Sequence, residues 1–189
     1  MSAMVINFVL FQLGWFACVL GAANGRPWLG PLVVLVAVAV HLLRARRPMP
    51  ELRLVLYAML LGLVADTLLL ATGWLRYPSG LWLPGLAPYW IVAMWALFAT
   101  TLNLSLGWLR GRPLLAALTG AIGGPLSYLA GQKLGGIELL APLPALVALA
   151  LVWAASMPLL AWLALRCDGV SPRDLPDYVT PDWRTSGNA

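Results

Sequence analysis

Long apolar runs, separated by short polar or proline-rich segments, make up most of this chain. Six runs approach the roughly 20 residues that a helix needs to cross hydrocarbon. They cover Met4 to Ala23, Trp28 to Arg44, Leu52 to Leu75, Tyr89 to Leu109, Pro113 to Leu134 and Leu143 to Arg166, the second being the shortest. The two-fold alternation of a membrane-spanning strand is absent. The pattern therefore predicts an all-α, polytopic membrane bundle of about six transmembrane helices. Asn24-Gly25-Arg26-Pro27 and Gly111-Arg112-Pro113 read as tight turns, each with proline near the next helix start. Arg44 to Arg53 reads as a basic loop holding Pro48 and Pro50, and Pro78 to Pro88 as an irregular interfacial segment. Residues 1–166 thus form the expected bundle. Residues 167–189 turn polar and proline-rich, and are expected to be a mobile cytoplasmic tail.

Composition points the same way. Of 189 residues, 61% are hydrophobic and only 10% charged, against about 25% charged in soluble domains. The net charge of +5 comes mainly from arginine, since Lys133 is the only lysine. These arginines are scattered through short loops, so they read as topology signals and not as a nucleic-acid surface. Six spans put both termini on one face, with Arg44, Arg46, Arg47, Arg53, Arg110, Arg112, Arg166, Arg173 and Arg184. The other face has Arg26, Arg76 and Lys133. This bias predicts cytoplasmic termini in an inner membrane. Trp28, Trp74, Trp90, Trp108 and Trp162 fall near span ends, as in an aromatic belt. Trp15, Trp95 and Trp153 lie deeper, where they pack or face a pocket. Cys18 and Cys167 fall near opposite faces, so no disulfide is expected. The chain start lacks a basic n-region and Phe16-Ala17 makes a poor lipobox, so the first helix is expected to be retained.

Asp66 stands alone as a carboxyl deep within an apolar run. At the bilayer centre such a group costs roughly 2.5–3.5 kcal/mol on insertion scales. Ala58, Gly62, Asp66 and Gly73 share one helix side at this spacing, where small residues admit a neighbouring helix. Asp66 is therefore expected to face the bundle interior, as a proton or cation site, a catalytic acid, or a packing hydrogen bond. Counting about 1.5 Å per residue puts it some 20 Å from the start of its span, level with Ser127 and Tyr128. By the same count, Gln12 and Asn103 form a layer about 10–12 Å deep. A seam of Ala93, Ala96, Thr100, Asn103 and Gly107 reads as a packing face, with Asn103 as interhelical glue or a substrate contact. Thr119, Gly123, Ser127, Gly131 and Gly135 form a small-residue ridge that suits packing within the chain or homo-oligomerisation. Gly123-Gly124-Pro125 either kinks or breaks that helix. His41, the only histidine, reads as facing lipid headgroups. Lys133 and Glu138 are a candidate pair or separate headgroup contacts. Leu13-Gly14-Trp15 with Gly25-Arg26-Pro27 recurs as Leu106-Gly107-Trp108 with Gly111-Arg112-Pro113, either an inverted repeat or a chance match. No HExxH, GxSxG or phosphate-cradling motif is present, and no cofactor or metal site is expected.

Asn7-Phe8 with Phe11-Gln12-Leu13-Gly14-Trp15-Phe16, and Gly124-Pro125-Leu126-Ser127-Tyr128-Leu129-Ala130-Gly131, carry a resemblance. They resemble motifs of an uncharacterised family of small bacterial inner-membrane proteins, known only as a domain of unknown function. The resemblance covers nearly all of the chain except the tail. It implies location and multi-span architecture but no reaction, and association with fatty-acid-modifying enzymes gives it a lipid-related colour. Three functions remain open. The first is an accessory or binding protein in membrane-lipid metabolism, with a lipid, a small apolar ligand or a membrane protein as partner. The second is a small proton-coupled transporter using Asp66. The third is an intramembrane lipid-modifying enzyme, with Tyr128, Asn103 or Gln12 orienting substrate at Asp66.

Overall fold

A computed structural model of the chain describes residues 3–170. The expected polar tail therefore lies outside the described residues from position 171 onward. Six helices follow in order: α1 (Ala3–Ala23), α2 (Leu29–Arg44), α3 (Pro48–Ala71), α4 (Tyr89–Leu102), α5 (Pro113–Lys133) and α6 (Pro142–Arg166). Two-residue strands β1 (Leu75–Arg76) and β2 (Glu138–Leu139) form an antiparallel pair. Helices α3, α5 and α6 begin with proline in the first turn, where the missing N–H is not needed.

Successive helices alternate in direction. The starts of α1, α3 and α5 gather with the ends of α2, α4 and α6, joined by Asn7 to Thr100, His41 to Glu51 and Asn103 to Cys167. We call this the first face. The β1–β2 pair and the loop after Arg76 close the second face, where Ser79 Oγ donates to the Ala22 carbonyl at 2.8 Å. Ala3 and Arg166 thus lie at the same face.

Helices α1, α3, α5 and α6 are long and apolar enough to cross a membrane, while α2 and α4 are shorter at 16 and 14 residues. Exposed Leu35, Leu60, Leu68, Leu118 and Leu151 turn outward from α2, α3, α5 and α6. With so many apolar side chains facing out, the bundle is an integral membrane protein. Helix α4 is its core. It packs against α1, α2, α3 and α6, and Trp90, Ile91, Trp95, Leu97, Ala99 and Leu102 are all buried. A helix that is apolar all round belongs inside.

Several expected boundaries move. The predicted basic loop shrinks to Ala45, Arg46 and Arg47, because Pro48 and Pro50 enter the first turn of α3 and carry Glu51 and Arg53 into the helix. Helix α4 stops at Leu102, not Leu109. Asn103 closes its end, and a short 3₁₀ turn, Gly107–Leu109, follows. Gly73 leaves the expected small-residue face of α3, since it sits in a turn beyond the helix with φ of 71°. Helix α5 runs unbroken through Pro125. The two Leu-Gly-Trp copies differ in structure, the first lying within α1 and the second in the 3₁₀ turn.

The packing edge of α5 is also not the expected ridge. Ala116, Gly120 and Gly124, one residue round the helix, meet α6. A methyl group on Gly120 would run into the Trp153 backbone, and one on Gly124 into the Trp153 ring. Gly123 faces open space. Thr119, Gly123 and Ser127 line a cavity, which Gly120 and Gly124 also border.

Candidate functional site

Asp66 is fully buried on α3. Its surroundings begin with Gly62, one turn earlier, where only the lack of a side chain lets the Trp95 ring lie flat against α3. From there Trp95 Nε1 donates to Asp66 Oδ2 at 2.7 Å. Tyr77, just after β1, donates to Oδ1 at 2.8 Å, and Tyr128 of α5 donates to the same oxygen. Three donors surround the carboxyl group, and among them only the indole N–H cannot also accept. An ionised carboxylate, which only accepts, can use them all. Burial, followed by the nearby Asp66 charge, pushes the Tyr77 phenol well above its ordinary range, so it remains a donor. No cationic side chain pairs with Asp66 among the described residues.

The other sides of Trp95 and Tyr128 face a cavity of about 530 Å³ between α1, α4, α5 and α6. Helix α1 packs on α2 and α4, and α5 on α6. The resulting cleft between α1 and α5 is bridged by Trp15 Nε1 donating to Ser127 Oγ at 3.2 Å. Trp15, Trp95 and Trp153 all line it. Trp95 and Trp153 stack with ring centroids 4.6 Å apart, and Phe98 meets both edge-on. Phe8, Phe16 and Leu126 line the cavity while also exposed on the outer, lipid-facing surface, so its mouth opens sideways toward lipid. Two polar groups there have no partner among the described residues: the Gln12 amide and the buried Trp153 Nε1.

A second polar cluster lies at the first face. His41 Nε2 and Glu51 Oε2 are 2.9 Å apart, both side chains buried. Glu51 Oε1 accepts from Asn103 Nδ2 at 2.8 Å and from the Gly169 backbone N–H at 2.7 Å. Arg110 Nη1 donates to Asn103 Oδ1 and Asp168 Oδ2, each at 2.9 Å. Arg47 Nη2 adds a 2.7 Å bond to the Asp168 carbonyl. Residues 167–170, expected at the start of a free tail, are therefore tied to the bundle.

The five sequence candidates separate in space. Tyr128 bonds Asp66. Ser127, though next in sequence, points to the cavity and accepts from Trp15, because neighbouring helical residues point about 100° apart. Gln12 lines the cavity. Asn103 sits in the first-face cluster, far from Asp66 in the layer order, and serves Glu51. His41 does not stand free at the surface but is buried, with Nε2 held by Glu51. Glu138 pairs with Arg76 across the strand pair, not with Lys133. Trp95 and Tyr77 were not legible as partners of Asp66. One comes from another helix and the other from a loop, with no local spacing to connect them. Glu51 and Arg110 were read as loop charges, yet they are buried.

The chain matches no curated protein and no solved structure. Residues 4–159 match the family described as Protein of unknown function (DUF2878), a span that includes Asp66, the cavity walls and the His41–Glu51 pair but not Asp168. The chain belongs to this family of unknown function, and its own helices make it an integral membrane protein.

Proposed function

We propose that this protein binds a lipid-derived, largely apolar molecule in the cavity between α1 and α5, as a binding or accessory component of membrane-lipid metabolism. The observation that carries this reading is the sideways opening of an aromatic-walled cavity onto the lipid-facing surface. Its volume falls within the roughly 300–1,000 Å³ of small-molecule sites, and an apolar wall with few polar groups is the usual form of such sites. The unpartnered Trp153 Nε1 and Gln12 amide suit a ligand with one or two oxygen acceptors, such as an ester or carbonyl. Asp66 lies behind the wall, and its three donors hold Trp95 and Tyr128 in place. In this reading it shapes the site without touching the ligand. The arginine bias supports a cytoplasmic first face, and the resemblance noted above supports a bacterial inner membrane.

Gly123 provides the test. It lines the cavity, and open space surrounds the position a side chain would take. Leucine there fills the cavity without displacing α6. Wild-type protein purified in mild detergent should carry a defined lipid species detectable by mass spectrometry. Gly123→Leu should lose that species while unfolding at the same or higher temperature. Retention of the same lipid complement by the variant would overturn the reading.

One observation favours a second reading, a proton-coupled transporter: Tyr128 both lines the cavity and bonds Asp66. It requires Asp66→Asn to abolish proton-coupled flux in proteoliposomes while the variant still folds.

A further inference from the structure

A second cavity, of about 320 Å³, opens at the first face between α1, α2 and α4. It is separate from the aromatic cavity and shares no lining residue with it. His41 lines it, although this side chain is more than nine-tenths buried. Its Nε2 is committed to Glu51. Glu51 in turn is fixed by Asn103 and the Gly169 N–H. The other ring nitrogen, Nδ1, makes no hydrogen bond among the described residues and is not an enclosed orphan. Arg44, one turn further along α2, also lines the cavity. It is exposed and has no ion-pair or hydrogen-bond partner among the described residues.

Cations in the last turn of α2 oppose the negative end of the helix dipole, and that alone accounts for an exposed Arg44. It does not account for a buried histidine whose second nitrogen is left open to a cavity. We propose that this cavity binds a phosphate oxyanion, with His41 Nδ1–H and the Arg44 guanidinium as its donors. Glu51 keeps the proton on Nε2, so a proton gained at Nδ1 makes an imidazolium held between a carboxylate on one side and the bound anion on the other. Asn7 shapes the wall without contributing a donor, because its amide is already given to Thr100. Ile6, Leu10, Val40 and Leu104 give the rest of the lining an apolar character. A phosphate at the end of an apolar chain meets both halves of such a site. Free phosphate meets only one.

The single histidine makes the test direct, because one imidazole signal reports on this site alone. Full-length protein with ¹⁵N-labelled histidine, in nonionic micelles, is titrated with dioleoyl phosphatidylglycerol, dioleoylglycerol or inorganic phosphate. The expected result is a saturable shift of Nδ1 toward its protonated position with phosphatidylglycerol and none with dioleoylglycerol. An equal shift with inorganic phosphate also supports the oxyanion site and identifies its source as soluble phosphate. Arg44→Gln should weaken the titration about fivefold, in keeping with a partly exposed charge-assisted contact. Arg46→Gln, exposed and outside the cavity, should leave it unchanged. An imidazole signal unmoved by either phosphate compound overturns the proposal, as does one moved equally by dioleoylglycerol or an Arg44→Gln titration matching wild type. Gly123→Leu should not alter the titration, so failure here and failure of the lipid cavity remain distinguishable.

Discussion

At the scale of the residue, Asp66 is decided by what it accepts. A carboxylate takes donors on both oxygens, while asparagine must turn an N–H toward one of them. In Asp66→Asn that amide either meets Trp95 Nε1, donor against donor, or turns to the two tyrosine hydroxyls, whose protons then lose their acceptor. Leaving a buried donor unmatched costs about 1–3 kcal/mol. We expect Asp66→Asn to lower the unfolding free energy by about that much, measured by denaturant titration in micelles. Full stability in this variant would show that the three donors do not fix the wall. Trp153→Phe provides the complementary case. It keeps an aromatic ring in the stack but removes the unpartnered N–H together with part of the indole. Lipid retention should fall by about 0.5–1.5 kcal/mol, a few-fold to about tenfold in affinity, alongside a modest fall in unfolding temperature from the lost ring contacts.

At the scale of the element, two neighbouring rows on α5 have different duties. The row of Ala116, Gly120 and Gly124 lets α6 approach, its glycines also bordering the cavity, whereas Thr119, Gly123 and Ser127 leave space for the cavity. Replacing a glycine within a helix by alanine is ordinarily favourable by about 1 kcal/mol. At Gly120 the new methyl meets the Trp153 carbonyl, a backbone atom that cannot swing aside. Overpacking of this kind costs about 1–3 kcal/mol. Gly120→Ala should therefore be neutral to destabilising in thermal unfolding, and Gly123→Ala stabilising. The same ranking for both would mean that α5 and α6 are free to separate. The sequence showed that α5 carries small residues at four-residue spacing but not which row meets α6. Both rows are rich in glycine, and only the partner helix distinguishes them.

At the scale of the whole molecule, the alternating helices put Ala3 and Arg166 on one face with Arg44, Arg46, Arg47, Arg110 and Arg112, opposite Arg26, Arg76 and Lys133. If the arginine-rich face is cytoplasmic, a membrane-impermeant maleimide on intact cells should label Lys133→Cys and reach Arg112→Cys only after permeabilisation. Both positions are exposed, and both native cysteines are buried, so background labelling should be low. The reverse pattern would invert the topology. The first face is also where the segment after α6 is held, since Asp168 and Gly169 connect Arg47 and Glu51, at the start of α3, with the distant Arg110.

By itself the sequence determined the medium and the helix count. Six apolar runs with few charges leave no other way to satisfy the backbone in hydrocarbon, and proline and glycine mark the turns. It also marked Asp66 as an interior group, because a lone carboxyl in lipid is too costly to face outward. Depth counting also placed Tyr128 level with it, and the two are bonded. Tertiary structure alone decided the other partners, because Trp95 and Tyr77 come from a different helix and a loop, and no period within one segment encodes that meeting. The cavity is likewise a property of helices that do not pack together, α1 and α5, while each sequence reports only what its own helix could touch. Glu51 and Arg110 look like loop charges because burial depends on what covers them, and that cover comes from the segment just after α6, distant in sequence.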